Sequence, residues 1–445
     1  MQINLSKHTN ITVEAINNQL HLNLYNTMTG IIRKDVFKKL IKKRLRISEK
    51  NIQIIKKDRD LIIKIKSNSN LSTKNSITNG LIIDEISAIL SHNLSSTLKN
   101  KITGRQICYI TKDSGIPLMG SIYFGIIDRG KNLLQVRPAT GCLLNCPFCS
   151  VDEGPDSKTR FTDYIINDSY LIEETKKVID YKAISDIEIH IDGQSEPTLY
   201  PHLPELITKF AKDSRIAQIS MQTNGIPLNQ KYIQKLEESG LNRINLSINS
   251  LNPKKARFLA GTSKYNIGHI IQIAKDIARS SIQLLVTPLW IPGINDDDIE
   301  EIISFVDSLH IESDVPVLGI QNYLKYKFGR KIKKVKMINM NKFKDKLQEW
   351  EEKFDIYPLL LSLEDFRMHP AKRYPKIFRK GEKIGVEIVM QGRILSKSKN
   401  KREMLGKAKN RIVQIMNSTS KIGDRINIKI TNNKDNIYYG RELNS

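Results

Sequence analysis

Three cysteines stand close together in the segment GCLLNCPFCSVDEG: Cys142, Cys146 and Cys149, spaced C-x3-C-x2-C. The chain holds four cysteines in 445 residues, so nearly all of its thiol chemistry is gathered at one place. Thiolates are soft ligands that suit iron and zinc. Three are one short of an ordinary four-ligand site. A four-iron cluster held by three thiolates instead leaves one iron open to a substrate or cofactor, which points to chemistry rather than scaffolding. The plainer reading is a zinc site completed by Cys108 or a histidine. Structural zinc sites, however, come as two separated pairs, and no second pair is present.

The composition narrows the class. The 71 Lys and Arg residues outnumber the 47 Asp and Glu by enough to give a formal charge of +24. Such an excess favours polyanions: RNA, DNA or an anionic membrane surface. Four cysteines do not make a disulfide framework, and clustered free thiols imply a reducing compartment. The opening segment MQINLSKHTNITVEAINNQ is polar and has no signal-peptide core. No apolar run is long enough to span a bilayer. The expectation is a cytoplasmic protein without a membrane partner.

The cysteines follow directly on the strand-like run LLQVRP, and the elements around them alternate. A hairpin is expected in SIYFGIIDRGKNLLQV, with Asp128, Gly130 and Asn132 at its turn. Strands are expected at DIEIHID, IAQISMQT, NRINLSIN, IQLLVTPLW and VPVLGIQ. Helices are expected at SYLIEETKKVIDY, PHLPELITKFAK, QKYIQKLEES, NIGHIIQIAKDIAR and DDDIEEIISFVDSL. Six βα units with right-handed crossovers make either an open doubly wound sheet or a partial barrel, and periodicity does not choose between them. In both, ligands sit at the C-terminal ends of the strands, which is where the cysteines fall. Before this core, residues 1–120 read as an α+β accessory region. It has short strands (NQLHLNLYN, NIQIIKKD, RDLIIKIKS), a basic helix RKDVFKKLIKKRLRI with Val36, Leu40, Leu45 and Ile47 as its apolar stripe, and a polar linker KSNSNLSTKNSITNG. The core occupies 121–335. A connecting segment, 336–375, carries the helix MNKFKDKLQEWEEKF. Residues 376–445 return to short strands and read as a small antiparallel barrel.

The cysteine spacing, the aromatic Phe148 before the last cysteine, and its place after the first strand resemble the signature of the radical S-adenosylmethionine superfamily. The resemblance covers about residues 130–325. It implies a partial (β/α)6 barrel, one [4Fe-4S] cluster on Cys142, Cys146 and Cys149, S-adenosyl-L-methionine on the open iron, a 5′-deoxyadenosyl radical, and a ferredoxin- or flavodoxin-type electron donor. It also carries cofactor contacts onto this chain in strand order. Gly193, Gln194, Ser195 and Glu196 stand where the family has a Gly-Gly-Glu-like segment for the methionyl amine, so Ser195 or Glu196 is the direct contact. Thr223 and Asn224 belong to a T-N-G motif. Ser247, Asn249 and Arg257 match ribose and carboxylate ligands. Phe148, Ile291 and Pro292 complete the set, the last two beside the adenine.

The C-terminal segment VEIVMQGRILSKSKNKREMLGKAKNRIVQI, followed by GDRINIKIT and IYYGREL, resembles a TRAM domain, an RNA-binding module with an OB-like fold. The resemblance implies RNA contacts from Arg393, Lys397, Lys399, Arg402, Lys407, Lys409 and Arg411, with Tyr438 and Tyr439 as stacking faces. A second basic and aromatic run contributes Lys327, Arg330 and Lys331. Over the full length the chain resembles archaeal iron–sulfur oxidoreductases of this architecture. Methylthiotransferases share the two domains but need three further upstream cysteines, and only Cys108 lies upstream here. The expected function is therefore a radical enzyme that modifies tRNA or rRNA. The alternatives are a radical enzyme acting on a protein or small molecule, and a non-enzymatic RNA-binding metalloprotein. The nucleotide and the modification are not legible, and no general acid or base is assigned.

Overall fold

The computed structural model describes residues 2–4, 11–24, 27–45, 47–58, 60–66, 97–396 and 401–443. The chain divides into two compact units, 1–114 and 115–445. The polar linker expected beyond Lys66 falls outside the described residues.

In the first unit, strands β1 (Gln2–Asn4), β6 (Asp60–Ile65) and β5 (Ile52–Lys57) form an antiparallel sheet in the order β1-β6-β5. A second antiparallel set runs β2 (Ile11–Ile16), β3 (Gln19–Leu24), β4 (Met28–Arg33), β7 (Lys99–Asn100) and β8 (Gln106–Ile110). Helix α1 (Lys34–Leu45) turns Phe37 and Ile41 inward. The expected stripe was placed one residue early. Val36 is exposed, and the i, i+4 pair that reaches the core begins at Phe37.

The second unit carries the site. Its sheet runs β15-β14-β13-β12-β10-β9, with β9 (Gly125–Asp128), β10 (Leu133–Arg137), β12 (Ile187–Ile191), β13 (Ile216–Thr223), β14 (Arg243–Leu246) and β15 (Gln283–Val286). Strands β10 to β15 in this sheet are parallel, and β9 closes one edge as the antiparallel arm of the expected hairpin. Its turn is held by Gly130 N donating to Asp128 Oδ1 at 2.8 Å. Buried Ile189, Ile191, Ile219, Met221, Ile244 and Leu284 supply the apolar packing of the sheet. The helices between strands are α2 (Asp168–Lys182), α3 (Leu203–Ala211), α4 (Gln230–Glu238), α5 (Pro253–Ala260), α6 (Ile267–Ala278) and α7 (Asp296–Asp307). β11 (Thr162–Ile166) precedes α2.

Two elements differ from expectation. The sixth strand is short: Val286 bridges Leu318, and β16 (Leu289–Trp290) pairs in parallel with β17 (Gln321–Asn322). Pro288 and Pro316 remove two N–H donors from this edge, which limits the ladder. The fourth strand ends at Leu246, and α5 follows. Asn252 caps α5 by accepting from Lys254 N and Lys255 N, with Pro253 in its first turn and Gly261 at its end. This N-P…G arrangement is a helix signal in a stretch where no helix was expected.

After α8 (Met340–Phe354), the connecting segment is tied to the core. Lys182 pairs with Asp128 at 2.9 Å, both fully buried, and Tyr374 N donates to Asp128 Oδ2 at 2.6 Å. The C-terminal strands β18 (Lys383–Ser396), β19 (Lys401–Ala408), β20 (Arg411–Ser418), β22 (Tyr439–Glu442) and β21 (Arg425–Asn432) close into a five-stranded barrel in that order. Its interior holds Val386, Ile388, Val413, Ile415, Ile428 and Tyr438. The architecture is thus mixed α/β with a closed β-barrel at its C-terminal end.

Candidate active site

The cysteine loop leaves β10 and folds back on itself. Cys149 N donates to Cys146 O at 3.1 Å, and Asn145 N donates to Ala260 O at 3.0 Å at the end of α5. Two glycines permit this closeness. A Cβ on Gly154 (φ +107°) would fall 1.9 Å from Leu144 O, and one on Gly261 (φ +66°) 2.1 Å from Asn145 O.

Asp152 organises the descending half of the loop. Its Oδ2 accepts from Ser157 Oγ (3.1 Å), Lys158 N (3.1 Å), Thr159 N (3.0 Å) and Thr159 Oγ1 (2.7 Å), and its Oδ1 pairs with Arg330 Nε at 2.8 Å. Burial raises the pKa of this carboxyl. The Thr159 hydroxyl and the Arg330 guanidinium outweigh burial and hold it below its ordinary value. Arg330 also donates to Cys146 O at 3.1 Å and to Glu153 O, and its own amide donates to Cys149 O at 2.8 Å.

The sulfurs receive amide hydrogen bonds. Cys142 Sγ accepts from Leu144 N at 3.4 Å and Asn224 Nδ2 at 3.6 Å, and Cys149 Sγ from Glu153 N at 3.3 Å. Burial, then Cys146 and Glu196, push the Cys142 thiol well above its usual pKa. Burial and Cys149 push Cys146 up to about 12. Metal binding to thiols requires the thiolate form and releases their protons, so metal charge at this site would offset the burial that disfavours the Cys142 and Cys146 thiolates. Among the described residues no three His, Cys, Asp or Glu side chains close on a single ion. A cubane asks for something else, since each of three thiolates takes its own iron.

A cavity opens beside Cys142 and Cys146, lined by Ser195, Glu196, Gln222, Thr223, Asn224, Ser247 and Asn249 at the strand ends. The Ser195 hydroxyl is buried without a hydrogen-bond partner. An orphaned buried hydroxyl at a cavity wall fits a polar ligand that completes it. Glu196 is different. Its carboxylate accepts from Thr198 N (3.2 Å), Thr198 Oγ1 (2.6 Å), Thr223 Oγ1 (2.6 Å) and Asn224 N (2.8 Å). It locks the loop after β12 to the loop after β13. Gln222, which sequence reasoning did not place among the site residues, donates to Ser247 Oγ at 3.0 Å and Thr287 Oγ1 at 3.1 Å, joining three strand ends. Its even spacing from Ser220 on β13 is the sequence signal that it faces the same way.

Not every expected contact arrives here. Arg257 is exposed on α5, whose inward face is Ala256, Leu259 and Ala260, and it does not line the cavity. Phe148 and Ile291 lie in an apolar cluster with Leu259, Tyr323 and Val335. They touch the cavity region through Leu259, which lines it. Pro292 is half-buried beside them.

A second, more open chamber shares Ser195, Gln222 and Ser247 with the first. The core supplies Arg137, His190, Asp192, Gly193 and Gln194. The segment after β17 supplies Tyr326, Lys327 and Phe328. The barrel supplies Arg393, Met416, Thr431, Asn432 and Tyr439. Behind its wall, Tyr123 lies between Arg160 (4.6 Å) and Arg393 (5.3 Å) and its hydroxyl meets Glu403. Arg160 pairs with Glu153 and donates to Gln194.

This corrects several expected RNA contacts. Arg393 is buried, donates to Val151 O and Gln194 Oε1 at 3.3 Å each, and stacks on Phe328. Arg411 is buried and donates to Asn410 O and Pro375 O at 3.0 Å each. Arg330 is consumed by the cysteine loop. Each guanidinium is held against carbonyls, carboxylates or rings of the protein itself. Lys407 pairs with Glu387 at 3.5 Å. Lys327, Lys331, Arg402 and Lys409 are exposed, and Lys397 and Lys399 lie outside the described residues. Tyr438 is a barrel-core residue whose hydroxyl bonds Asn436, so only Tyr439 offers a face to the chamber. Among the described residues no helix is long and apolar enough to cross a membrane.

A cysteine trio at the first strand end, set in a parallel sheet with polar residues at each later strand end, defines a class. The chain belongs to the radical SAM superfamily, whose profile matches residues 136–306. Members use a [4Fe-4S] cluster and S-adenosylmethionine, and the thiols and polar strand ends described above fit both. Protein MJ0103 of Methanocaldococcus jannaschii is 42% identical over 369 residues, covering 78% of this chain and 83% of that protein. The GTP 3′,8-cyclase of Aquifex aeolicus is 26% identical over 261 residues, covering 58% of this chain and 75% of the cyclase. Among solved structures, anSMEcpe with bound AdoMet aligns with a TM-score of 0.40 at 18% identity, over 50% of this chain and 60% of that one.

Proposed function

We propose that the protein is a radical S-adenosylmethionine enzyme acting on a nucleoside of tRNA or rRNA, held in the chamber between the core and a TRAM-like barrel. When bound, the cluster and S-adenosylmethionine supply a carbon-centred radical able to take hydrogen from an unactivated C–H bond. Cys142, Cys146 and Cys149 hold the cluster. Asn224 orients toward the Cys142 sulfur. Ser195, Ser247 and Asn249 bind the polar parts of the cofactor, and the Phe148–Leu259–Ile291 cluster keeps water from that side.

One observation carries the reading: barrel residues Met416, Thr431, Asn432 and Tyr439 face the same chamber as Ser195, Gln222 and Ser247. A substrate in this chamber touches the barrel while it lies next to the radical source. Tyr326, Phe328 and Tyr439 offer stacking faces for an unpaired base. The exposed Lys327, Lys331, Arg402 and Lys409, together with the +24 charge, favour a phosphate backbone. A second reading, a free nucleotide as substrate, is supported by the likeness of the core to GTP 3′,8-cyclases.

The test is mass spectrometry of tRNA and rRNA nucleosides from a deletion strain, its parent, and the deletion strain complemented with wild type or Cys146→Ala. The RNA reading expects one nucleoside to disappear on deletion and to return with wild type only. Identical nucleoside profiles refute it. Turnover of GTP by the anaerobically reconstituted protein would then establish the second reading.

A further inference from the structure

A ladder of polar side chains crosses the inner side of the parallel sheet. Gln135, His190, Ser220 and Arg243 are register partners on β10, β12, β13 and β14. Glu188 lies two residues before His190 and therefore on the same face. Ser220 Oγ donates to Glu188 Oε1 at 2.5 Å, and Arg243 Nη2 pairs with that oxygen at 2.5 Å. All three of these side chains are buried.

A serine hydroxyl has one proton. With that proton on Glu188, the Ser220 oxygen is an acceptor, and its remaining neighbour is His190 Nδ1 at 2.7 Å. The imidazole proton therefore resides on Nδ1, and Nε2 carries a lone pair. His190 is half-buried and lines the large chamber. The carboxylate beside it is already committed. Asp192 accepts from Arg137 at 3.0 and 3.1 Å and from Gln135 Nε2 at 2.7 Å.

We propose that His190 is the proton acceptor of this chamber, taking a proton through Nε2 from a substrate O–H or N–H adjacent to the carbon that loses hydrogen. The proposal rests on the radical-enzyme reading of the site. The substrate X–H bond breaks, its electron pair stays on X, and an Nε2–H bond forms. A hydroxyl on a carbon-centred radical is far more acidic than an ordinary alcohol, so a neutral imidazole suffices. A ribose hydroxyl or a base N–H meets this requirement. Ser220 and Glu188 are positioning residues that fix the tautomer and face the imidazolium once it forms. Burial lowers the His190 pKa most strongly. Asp192 and Glu188 oppose it, while Arg243 and Arg137 reinforce it, so the ring is neutral at pH 7.

Two measurements on the full, cluster-loaded chain decide. In histidine-labelled protein, 15N NMR should show one ring, absent from His190→Gln, that is neutral at pH 7 and protonated on Nδ1. Ser220→Ala should mix its tautomers. With total tRNA from the deletion strain as probe, His190→Gln should lose ~100-fold or more in product nucleoside, the scale of general-base catalysis. Ser220→Ala, which keeps the imidazole and only frees its orientation, should lose about 10-fold, the low end for a residue that acts through another. The wild-type acid limb, where rate rises as the imidazole deprotonates, should vanish in His190→Gln. Unchanged iron content and melting temperature in His190→Gln report folding. A His190→Gln rate within threefold of wild type, or a proton on Nε2, overturns the proposal. If wild type modifies no RNA, the RNA reading fails, and the tautomer measurement alone decides the role of His190.

Discussion

Removing the Arg330 guanidinium tests how the cluster loop is held. Arg330 is 18% exposed and its partner Asp152 6%, so the pair is largely but not wholly desolvated. Breaking a buried pair by deleting one partner costs ~3–5 kcal/mol, and partial exposure lowers this toward about 3 kcal/mol. Arg330→Ala also strands the carbonyls of Cys146 and Glu153. The loss should be local, because Asp152 organises a single turn through the amides of Lys158 and Thr159. At about 1.4 kcal/mol per tenfold, opening of that turn should rise roughly 100-fold. Hydrogen–deuterium exchange read on peptides spanning 150–160 checks this, with peptides from α3 as the unchanged reference. A double-mutant cycle sharpens it: Asp152→Asn combined with Arg330→Ala should cost little more than either alone. If Arg330→Ala leaves exchange over 150–160 within twofold of wild type and instead weakens RNA binding, the assignment is wrong and Arg330 belongs to a nucleic-acid surface.

Four further outcomes follow from the same geometry. Asn224→Ala removes the side-chain amide directed at Cys142 Sγ; hydrogen bonds to cluster sulfur raise the reduction potential, so the variant's potential should be lower in an EPR-monitored titration. Glu196→Gln places an amide donor against the donors of Thr198, Thr223 or Asn224. It should cost about 2–3 kcal/mol, seen as a Tm lower by ~4–10 °C, whereas weaker S-adenosylmethionine binding at unchanged Tm would make Glu196 a direct ligand. Asp192 sits below its ordinary pKa of 3.8 because Arg137 outweighs the upward pull of burial. Its contribution is complete above that value and is lost as pH falls through the lower folded value, so the stability gap between wild type and Asp192→Asn, from urea melts, should be flat above pH 5 and narrow below pH 4. For tRNA, the exposed Lys327, Lys331, Arg402 and Lys409 predict that log affinity falls with log salt at a slope near −3, at ~0.7–0.9 per phosphate contact, and Lys327→Glu should reduce it by about one.

The cysteine loop, the strand ends and the barrel were legible in the sequence because each depends on local pattern. Thiol spacing, period-2 alternation and 3.6-residue helices need no knowledge of distant chain. What failed was the fate of long cationic side chains. Arg330, Arg393 and Arg411 read as surface charge, since nothing nearby in sequence marks them as buried. Their partners lie far along the chain: Asp152 and Cys146 for Arg330, Gln194 and Tyr123 for Arg393, Pro375 and Tyr374 for Arg411. Arg257 was misplaced for a different reason. The stretch after the fourth strand is a helix capped by Asn252 and begun by Pro253, and its inward face is Ala256, Leu259 and Ala260, so Arg257 faces outward. The inner ladder of Gln135, His190, Ser220 and Arg243 was hidden because β-register sets it, and one residue of slip would scatter it.

The buried arginines change what the C-terminal barrel is. A basic barrel attached by a linker would hold RNA at a distance and leave the choice of target to chance encounters with the core. Here Arg393, on β18, reaches Val151 in the cysteine loop and Gln194 in the loop beside Ser195. Its own amide meets Glu403, which also takes the hydroxyl of Tyr123. A guanidinium desolvated among such partners is costly to pull away, so the barrel is fixed against the cysteine loop and the loop of Gln194 and Ser195. Residues on β20, β21 and β22 then form a permanent wall of the reaction chamber. The substrate atom that loses hydrogen must reach between two rigid faces. A base stacked and paired in a duplex does not present its atoms to such a site, which for an RNA substrate favours a single flipped or looped-out nucleotide over any helical segment.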